Sequence, residues 1–148
     1  SFEIKNQKNI DKKSDSVKSS LVIPIKELLI DNNKNNSYLR LLLKENGCVI
    51  SSKNVFFLPF KDLTIVDPLI KKTISINEKN QKLSVTIKTK NFAKGIHITS
   101  NRLANFSDNY FDLPIDGEKT VTMDLPNDID VPELITSIEV FTLWDTLK

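Results

Sequence analysis

The sequence has few of the residues that build disulfide, metal and phosphate sites. Cys48 is the single cysteine among 148 residues, His97 is the single histidine, and glycine occurs three times. One cysteine excludes an internal disulfide and a cysteine-rich metal site, and one histidine by itself forms neither a catalytic triad nor a metal centre. Three scattered glycines exclude a glycine-rich phosphate loop. We expect Cys48 to lie buried or half-buried as a small apolar side chain.

Long apolar runs and a dominant charge are also absent. No stretch approaches the roughly 20 apolar residues of a membrane-spanning helix, so no membrane partner is expected. Lys plus Arg number 21 and Asp plus Glu 19, a balance that argues against an obligate nucleic-acid partner. The chain starts at Ser1, and no basic stretch followed by an apolar stretch comes after it, so we expect no targeting segment. We also expect the chain to be a piece of a longer protein. These features assign no compartment.

Alternation of apolar and polar residues is the main pattern present. In Lys82–Lys88 the residues Leu83, Val85 and Ile87 fall on one side, which predicts a half-buried strand. Asn46-Gly47 favours the positive φ angles of a tight hairpin turn. The same reasoning predicts strands at residues 2–6, 17–23, 38–44, 48–50 continuing through 55–58, 63–66, 73–77, 95–99, 119–125 and 137–144. Short helical turns are predicted only at 24–29 and 132–135.

This pattern predicts an all-β, antiparallel fold in two parts. Neither helical segment is long enough for the crossover of a parallel sheet. Residues 65–148 are predicted to form an immunoglobulin-like sandwich, a fold of about seven strands. Residues 1–64 are predicted to hold about four strands of a partial second sandwich, with the junction at residues 63–68.

The acidic residues give no catalytic pair. A site that cleaves glycosidic bonds needs two facing carboxyl groups, and Glu139, in a predicted strand, has no identified partner. The other candidates lie in predicted connections, where such residues usually bond to backbone: Asp31, Asp116, Glu118, Asp128, Asp130 and Glu133. We therefore expect no catalytic, metal or cofactor residue in this chain.

The most distinctive run spans residues 106–114. Ser107 and Asp108 are expected to bond to local backbone. Tyr110 and Phe111 should point to opposite faces, one into the core and one onto the surface. Pro114 should end the strand pairing.

This run carries a resemblance to a known family. Ser107, Asp108, Asn109, Tyr110, Phe111, Asp112 and Leu113, followed by Gly117-Glu118-Lys119-Thr120-Val121, resemble the signature of the last immunoglobulin-like domain of glycoside hydrolase family 2 β-mannosidases. Residues 91–98 and 138–145 resemble strands of the same domain, and residues 51–58 resemble the end of the penultimate one. The sequence departs from the family at Pro114-Ile115-Asp116, where the family has a shorter Leu-Pro-Gly-Glu turn.

The resemblance implies an accessory role. The family's enzymes remove terminal β-mannose with retention, through carboxylates in a central (β/α)₈ barrel whose motifs this chain lacks. The chain would then be a non-catalytic C-terminal part whose partner is the barrel of the same parent. If residues 1–64 are only the later strands of the penultimate sandwich, an open apolar face is expected, covered by a second copy or by residues 65–148. That face comprises Leu39, Leu41, Leu43 and Phe57.

Two alternatives belong to other functional classes. A carbohydrate-binding module would use exposed aromatic side chains, for which Tyr110, Phe141 and Trp144 are the candidates. An adhesion or interaction domain of a surface protein would need neither a sugar nor a barrel. A parent acting on another glycoside also fits, because accessory sandwiches report poorly on specificity.

Overall fold

The structure is a computed structural model that describes Pro24, Leu29 and residues 34–101, 105–125 and 130–147. By its contacts the chain divides into two compact units, Ser1–Thr64 and Ile65–Lys148. The strands predicted at 2–6 and 17–23 lie outside the described residues, as does most of the helical turn predicted at 24–29.

The described part of the first unit is a β-hairpin. Strand β1 (Tyr38–Glu45) pairs antiparallel with β2 (Cys48–Phe56), with a bulge after Leu43. Asn46 and Gly47 have φ of 50° and 82°, the positive angles that a type I′ turn requires at both central positions. The predicted hairpin is therefore confirmed. Strand β2 joins the two segments expected from the sequence but ends at Phe56, two residues before the expected end.

The hairpin exposes apolar side chains. Leu41 and Leu43 are 48% and 50% exposed, while Leu39 and Phe57 are half-buried. Cys48 is exposed, so the expectation of a buried cysteine is wrong. Its position explains the difference, because Cys48 pairs with Glu45 directly beside the turn, at the tip of the hairpin.

The described residues of the second unit form six strands and one short α-helix. In chain order they are β3 (Lys71–Asn77), β4 (Lys82–Lys88), β5 (Ala93–Thr99), β6 (Phe111–Leu113), β7 (Glu118–Asp124), α1 (Val131–Ser137) and β8 (Glu139–Phe141). One antiparallel sheet has the order β3-β4-β7 and the other β6-β5-β8. The predicted all-β, immunoglobulin-like fold is confirmed.

The core of this unit lies between the two sheets. Leu83, Val85 and Ile87 of β4 are fully buried, as their alternation predicts. They share one cluster with Ile96 and Ile98 of β5 and with side chains from β7 and α1. Full burial of one such side chain contributes roughly 1.5–3 kcal/mol, so the three buried residues of β4 make a large contribution to the stability of the sandwich.

Two predicted strands differ in the structure. Residues 63–66 carry no strand pairing. The strand predicted at 137–144 shrinks to β8, because α1 extends to Ser137 and a 3₁₀ helix, Leu143–Leu147, begins after Thr142. The Asp145 carboxylate accepts hydrogen bonds from Thr142 N–H and Thr142 Oγ1, both at 2.9 Å. This Thr-x-x-Asp arrangement resembles a capping box, which explains why the strand stops here.

Candidate functional site in the 107–113 segment

Ser107 attaches the segment to strand β7. Its N–H donates to the Thr122 carbonyl oxygen at 2.7 Å, and its Oγ accepts from Thr122 N–H at 3.0 Å. The expectation of local backbone bonding is therefore wrong for Ser107. The partner lies 15 residues away in sequence, and only the folded arrangement of the sheets brings the two together.

Asp108 adds an ion pair to the same strand. Its carboxylate accepts from Lys119 Nζ on β7 and, at 2.7 Å, from the Asn109 N–H. The hydrogen bond from Lys119 is the largest of the effects that hold the pKa of Asp108 below its ordinary value of 3.8. Lys119 Nζ also lies 4.2 Å from the centroid of the Phe111 ring, a cation–π distance.

Asn109 attaches the segment to strand β5, in the opposite sheet. Its Oδ1 accepts from Ile98 N–H at 2.8 Å, and its Nδ2 donates to the Ile98 carbonyl oxygen at 2.9 Å. A carboxamide offers a donor and an acceptor together, so Asn109 mimics a strand partner. Strand β6 has only three residues, and Asn109 satisfies the backbone of β5 before β6 begins.

Asp112 makes a second attachment to β5. Its two carboxylate oxygens accept from Lys94 Nζ, each at 3.0 Å, and one of them also accepts from Gly95 N–H at 3.0 Å. The Lys94–Asp112 pair is mostly buried, with side-chain exposures of 26% and 18%. Leu113, the next residue, is 4% exposed and belongs to the core.

Together these contacts join the two sheets of the sandwich. Ser107 and Asp108 bond to β7, while Asn109 and Asp112 bond to β5. The segment is therefore a polar cross-connection between the two layers, and its acidic groups are used in holding it. Within residues 34–101, 105–125 and 130–147, no group of three or more His, Cys, Asp or Glu side chains is arranged to hold a metal ion.

Tyr110 and Phe111 take opposite sides, as the sequence predicts. Phe111 is half-buried and packs on the core, whereas Tyr110 is 71% exposed. Tyr110 has a φ of 58°, a left-handed conformation that costs a non-glycine residue about 1–3 kcal/mol. Asn109 Oδ1 accepts from Tyr110 N–H at 3.2 Å, which helps to hold this conformation.

The Tyr110 ring stacks on His97 of β5. Their centroids are 4.5 Å apart with an interplanar angle of 10°, and Tyr110 Oη lies 3.2 Å from His97 Nε2. His97 lies between the buried Ile96 and Ile98, so its side chain points to the outer surface of the sheet. The sequence predicted the outward orientation of His97 but not its ring partner, because Tyr110 lies in a different element.

Phe141 lies beside this stack. It pairs with His97 in the β5–β8 ladder and is 42% exposed. We call the outer surface formed by Tyr110, His97 and Phe141 the aromatic face. Trp144, the third aromatic candidate, lies in the 3₁₀ helix after β8, half-buried and with its indole Nε1 buried.

An open, shallow depression adjoins Phe141. It is lined by Ile70, Lys72, Glu139, Val140 and Phe141. The Nζ of Lys72 donates to the Ile138 carbonyl oxygen at its margin. The depression therefore pairs an aromatic ring with one acidic and one basic side chain.

The turn at residues 114–117 is where the sequence departs from the family signature. Gly117 N–H donates to the Pro114 carbonyl oxygen at 3.0 Å, which closes a four-residue turn. Thr89 N–H donates to the Gly117 carbonyl oxygen at 2.9 Å, and Thr89 Oγ1 donates to that of Pro114 at 3.0 Å. The longer turn is therefore anchored to the residue that follows β4, while β6 stays paired with β5 and β7 with β4.

Over the described ranges, no helix is long and apolar enough to cross a membrane.

Comparisons with known proteins cover both units. Residues 65–146 match the family Ig_mannosidase, an Ig-fold domain, and residues 4–62 match a mannosidase Ig/CBM-like domain. No curated protein matches the chain. These two matches confirm the resemblance described from residues 107–113, since both families are typical of the C-terminal regions of glycoside hydrolase family 2 mannosidases.

Proposed function

Because the chain belongs to the Ig_mannosidase family of Ig-fold domains, we propose that it is the non-catalytic C-terminal accessory part of a β-mannosidase-like enzyme of glycoside hydrolase family 2. In this proposal residues 65–148 are the last immunoglobulin-like domain, and residues 1–64 are the later strands of the penultimate one. The chain packs against the catalytic barrel of its own parent and stabilises it. The barrel supplies the carboxylates that remove terminal β-mannose with retention.

The observation that supports this role is that the acidic side chains of the 107–113 segment are engaged in ion pairs within the fold. Asp108 is paired with Lys119 on one sheet, and Asp112 with Lys94 on the other. A glycosidase needs a general acid whose pKa is raised, whereas the pKa of Asp108 is lowered. The carboxylate of Asp108 therefore suits a structural role.

The experiment compares the complete gene product with a version that lacks the region corresponding to this chain. We expect the truncated enzyme to unfold at a lower temperature, and the purified 148-residue chain, added in trans, to restore part of the loss. The chain alone should not hydrolyse aryl β-mannosides. Unchanged thermal stability of the truncated enzyme, or a reading frame that encodes no barrel, contradicts the proposal.

A further inference from the structure

We propose that the aromatic face (Tyr110, His97 and Phe141) is a carbohydrate-binding platform for a β-linked hexopyranose. The platform would be an additional binding site on residues 65–148, separate from any catalytic centre. This inference goes beyond the scaffold role proposed above and takes from that proposal only the β-linkage of the sugar.

The first observation is the orientation of the Tyr110 ring. One side of the ring stacks on His97, and with 71% of the residue exposed the other side faces solvent. The face of an aromatic ring carries negative partial charge. The axial C–H groups on one face of a hexopyranose carry positive partial charge, so the two surfaces are electrostatically complementary.

The second observation is the neighbouring ring. Phe141 pairs directly with His97 across the β5–β8 ladder. Side chains in such a pair have Cβ atoms about 4.5–5.5 Å apart. The sheet therefore places a second aromatic residue on the same outer surface, on the other side of His97 from Tyr110.

Polar groups flank the rings. Glu139 lies two residues before Phe141, on the same side of β8, and pairs with Thr99 of β5. Glu139 also lines the shallow depression beside Phe141, together with Lys72. Sugar sites combine ring surfaces with a few such donors and acceptors. In this proposal the ring faces contact the C–H groups of the sugar, and Glu139 and Lys72 contact its hydroxyl groups.

The third observation is that the platform is preorganised. Tyr110 is held in a left-handed conformation with φ of 58°, where asparagine or glycine fits with less strain. Asn109, which is itself bonded to Ile98, accepts a hydrogen bond from Tyr110 N–H. A ring that is already fixed loses little freedom when a ligand binds. Backbone strain that presents an exposed ring is typical of binding sites.

The test is titration of the purified 148-residue chain with two probes, β-1,4-mannotetraose and cellotetraose, followed by calorimetry and by amide chemical shifts. We expect binding of at least one probe, with shifts centred on His97, Tyr110 and Phe141. The probe that binds more tightly identifies whether the site takes manno- or gluco-configured sugar.

Two variants locate the site. Tyr110→Asn removes the ring and places a residue that tolerates left-handed φ, so the fold is kept; Phe141→Ser removes the second ring from the surface. We expect each to weaken binding about fivefold to tenfold. Ile115→Asn is the matched control. Ile115 is also an exposed apolar residue, but it follows β6, whereas Tyr110 precedes β6. We expect this variant to bind the sugar as the wild type does.

Absence of a response to both probes at concentrations up to roughly 10 mM overturns the proposal. So does binding that neither ring variant weakens. Because the measurement uses the isolated chain, its outcome is independent of whether the chain stabilises a catalytic barrel.

Discussion

The side chain of Asn109 takes the place of a strand partner for Ile98. It accepts from Ile98 N–H at 2.8 Å and donates to the Ile98 carbonyl oxygen at 2.9 Å. Two residues earlier, Ser107 makes a similar reciprocal pair with Thr122. The two attachments lie on different sheets, so a three-residue stretch links both layers of the sandwich.

Replacing Asn109 should destabilise the second unit. Ile98 is 1% exposed, so water cannot readily replace the lost partners. Each buried unsatisfied group costs about 1–3 kcal/mol, and Asn109→Ala should therefore lower the free energy of unfolding by roughly 2–4 kcal/mol, measured by urea denaturation. Asn109→Asp keeps the acceptor but loses the donor, and should also destabilise. Asn80→Ala, at an exposed turn, is the control, and a loss for Asn109→Ala no larger than this control refutes the assignment.

The Asp108–Lys119 pair should make stability depend on acid pH. The folded pKa of Asp108 is lowered, so the pair stabilises the fold above the carboxyl's ordinary pKa and the contribution is lost as pH falls through the lowered value. An NMR titration of the Asp108 carboxyl should give a midpoint below 3.8. Lys119→Gln should raise that midpoint, as should high salt. Lys90→Gln, which breaks the exposed pair with Asp116, should leave it unchanged; a midpoint insensitive to Lys119 contradicts this account.

Gly117 should not tolerate a side chain. A Cβ at this position would lie 2.7 Å from both Cδ and the carbonyl oxygen of Pro114. The backbone turn would have to open, so Gly117→Ala should cost about 1–3 kcal/mol. Ile115→Ala changes an exposed side chain in the same turn and should stay within about 0.5 kcal/mol of the wild type. Equal thermal stability of the two variants is the result that counts against this reading of the turn.

The open face of the hairpin predicts self-association. Leu41 and Leu43 point to the same side of β1 and are about half exposed. We predict that a second copy of the chain covers them, and that the variant carrying Leu41→Lys and Leu43→Ser is monomeric by light scattering. Leu42→Ser, on the other side of the same strand, should leave the association unchanged. A wild-type chain that is monomeric at every concentration contradicts the prediction.

Local pattern predicted the regular parts of the fold well. Strand β4 has the bounds that its alternation indicates, Lys82–Lys88, and the Asn46-Gly47 turn is where the sequence places it. Both depend on neighbouring residues alone. The shortened β8 was missed, although the spacing of Thr142 and Asp145 is a helix-start signal that competes with alternation.

Contacts between distant segments were not predictable in the same way. Alternation placed His97 on the outer surface, but its proximity to Tyr110 and Phe141 depends on strand order and register. The same holds for Ser107, whose partner is Thr122 rather than local backbone. A single sequence indicates which face of a strand a side chain is on. Which other side chains it meets on that face depends on the tertiary fold.

The most direct measurement uses Asn109→Ala in the complete gene product, assayed as the β-mannosidase proposed above. Its thermal stability and its kcat/KM on an aryl β-mannoside are determined side by side. If the 107–113 segment serves architecture and the chemistry lies elsewhere, Tm falls by several degrees while kcat/KM, measured well below Tm, stays within about twofold of the wild type. A kcat/KM reduced about tenfold or more with Tm unchanged contradicts the account.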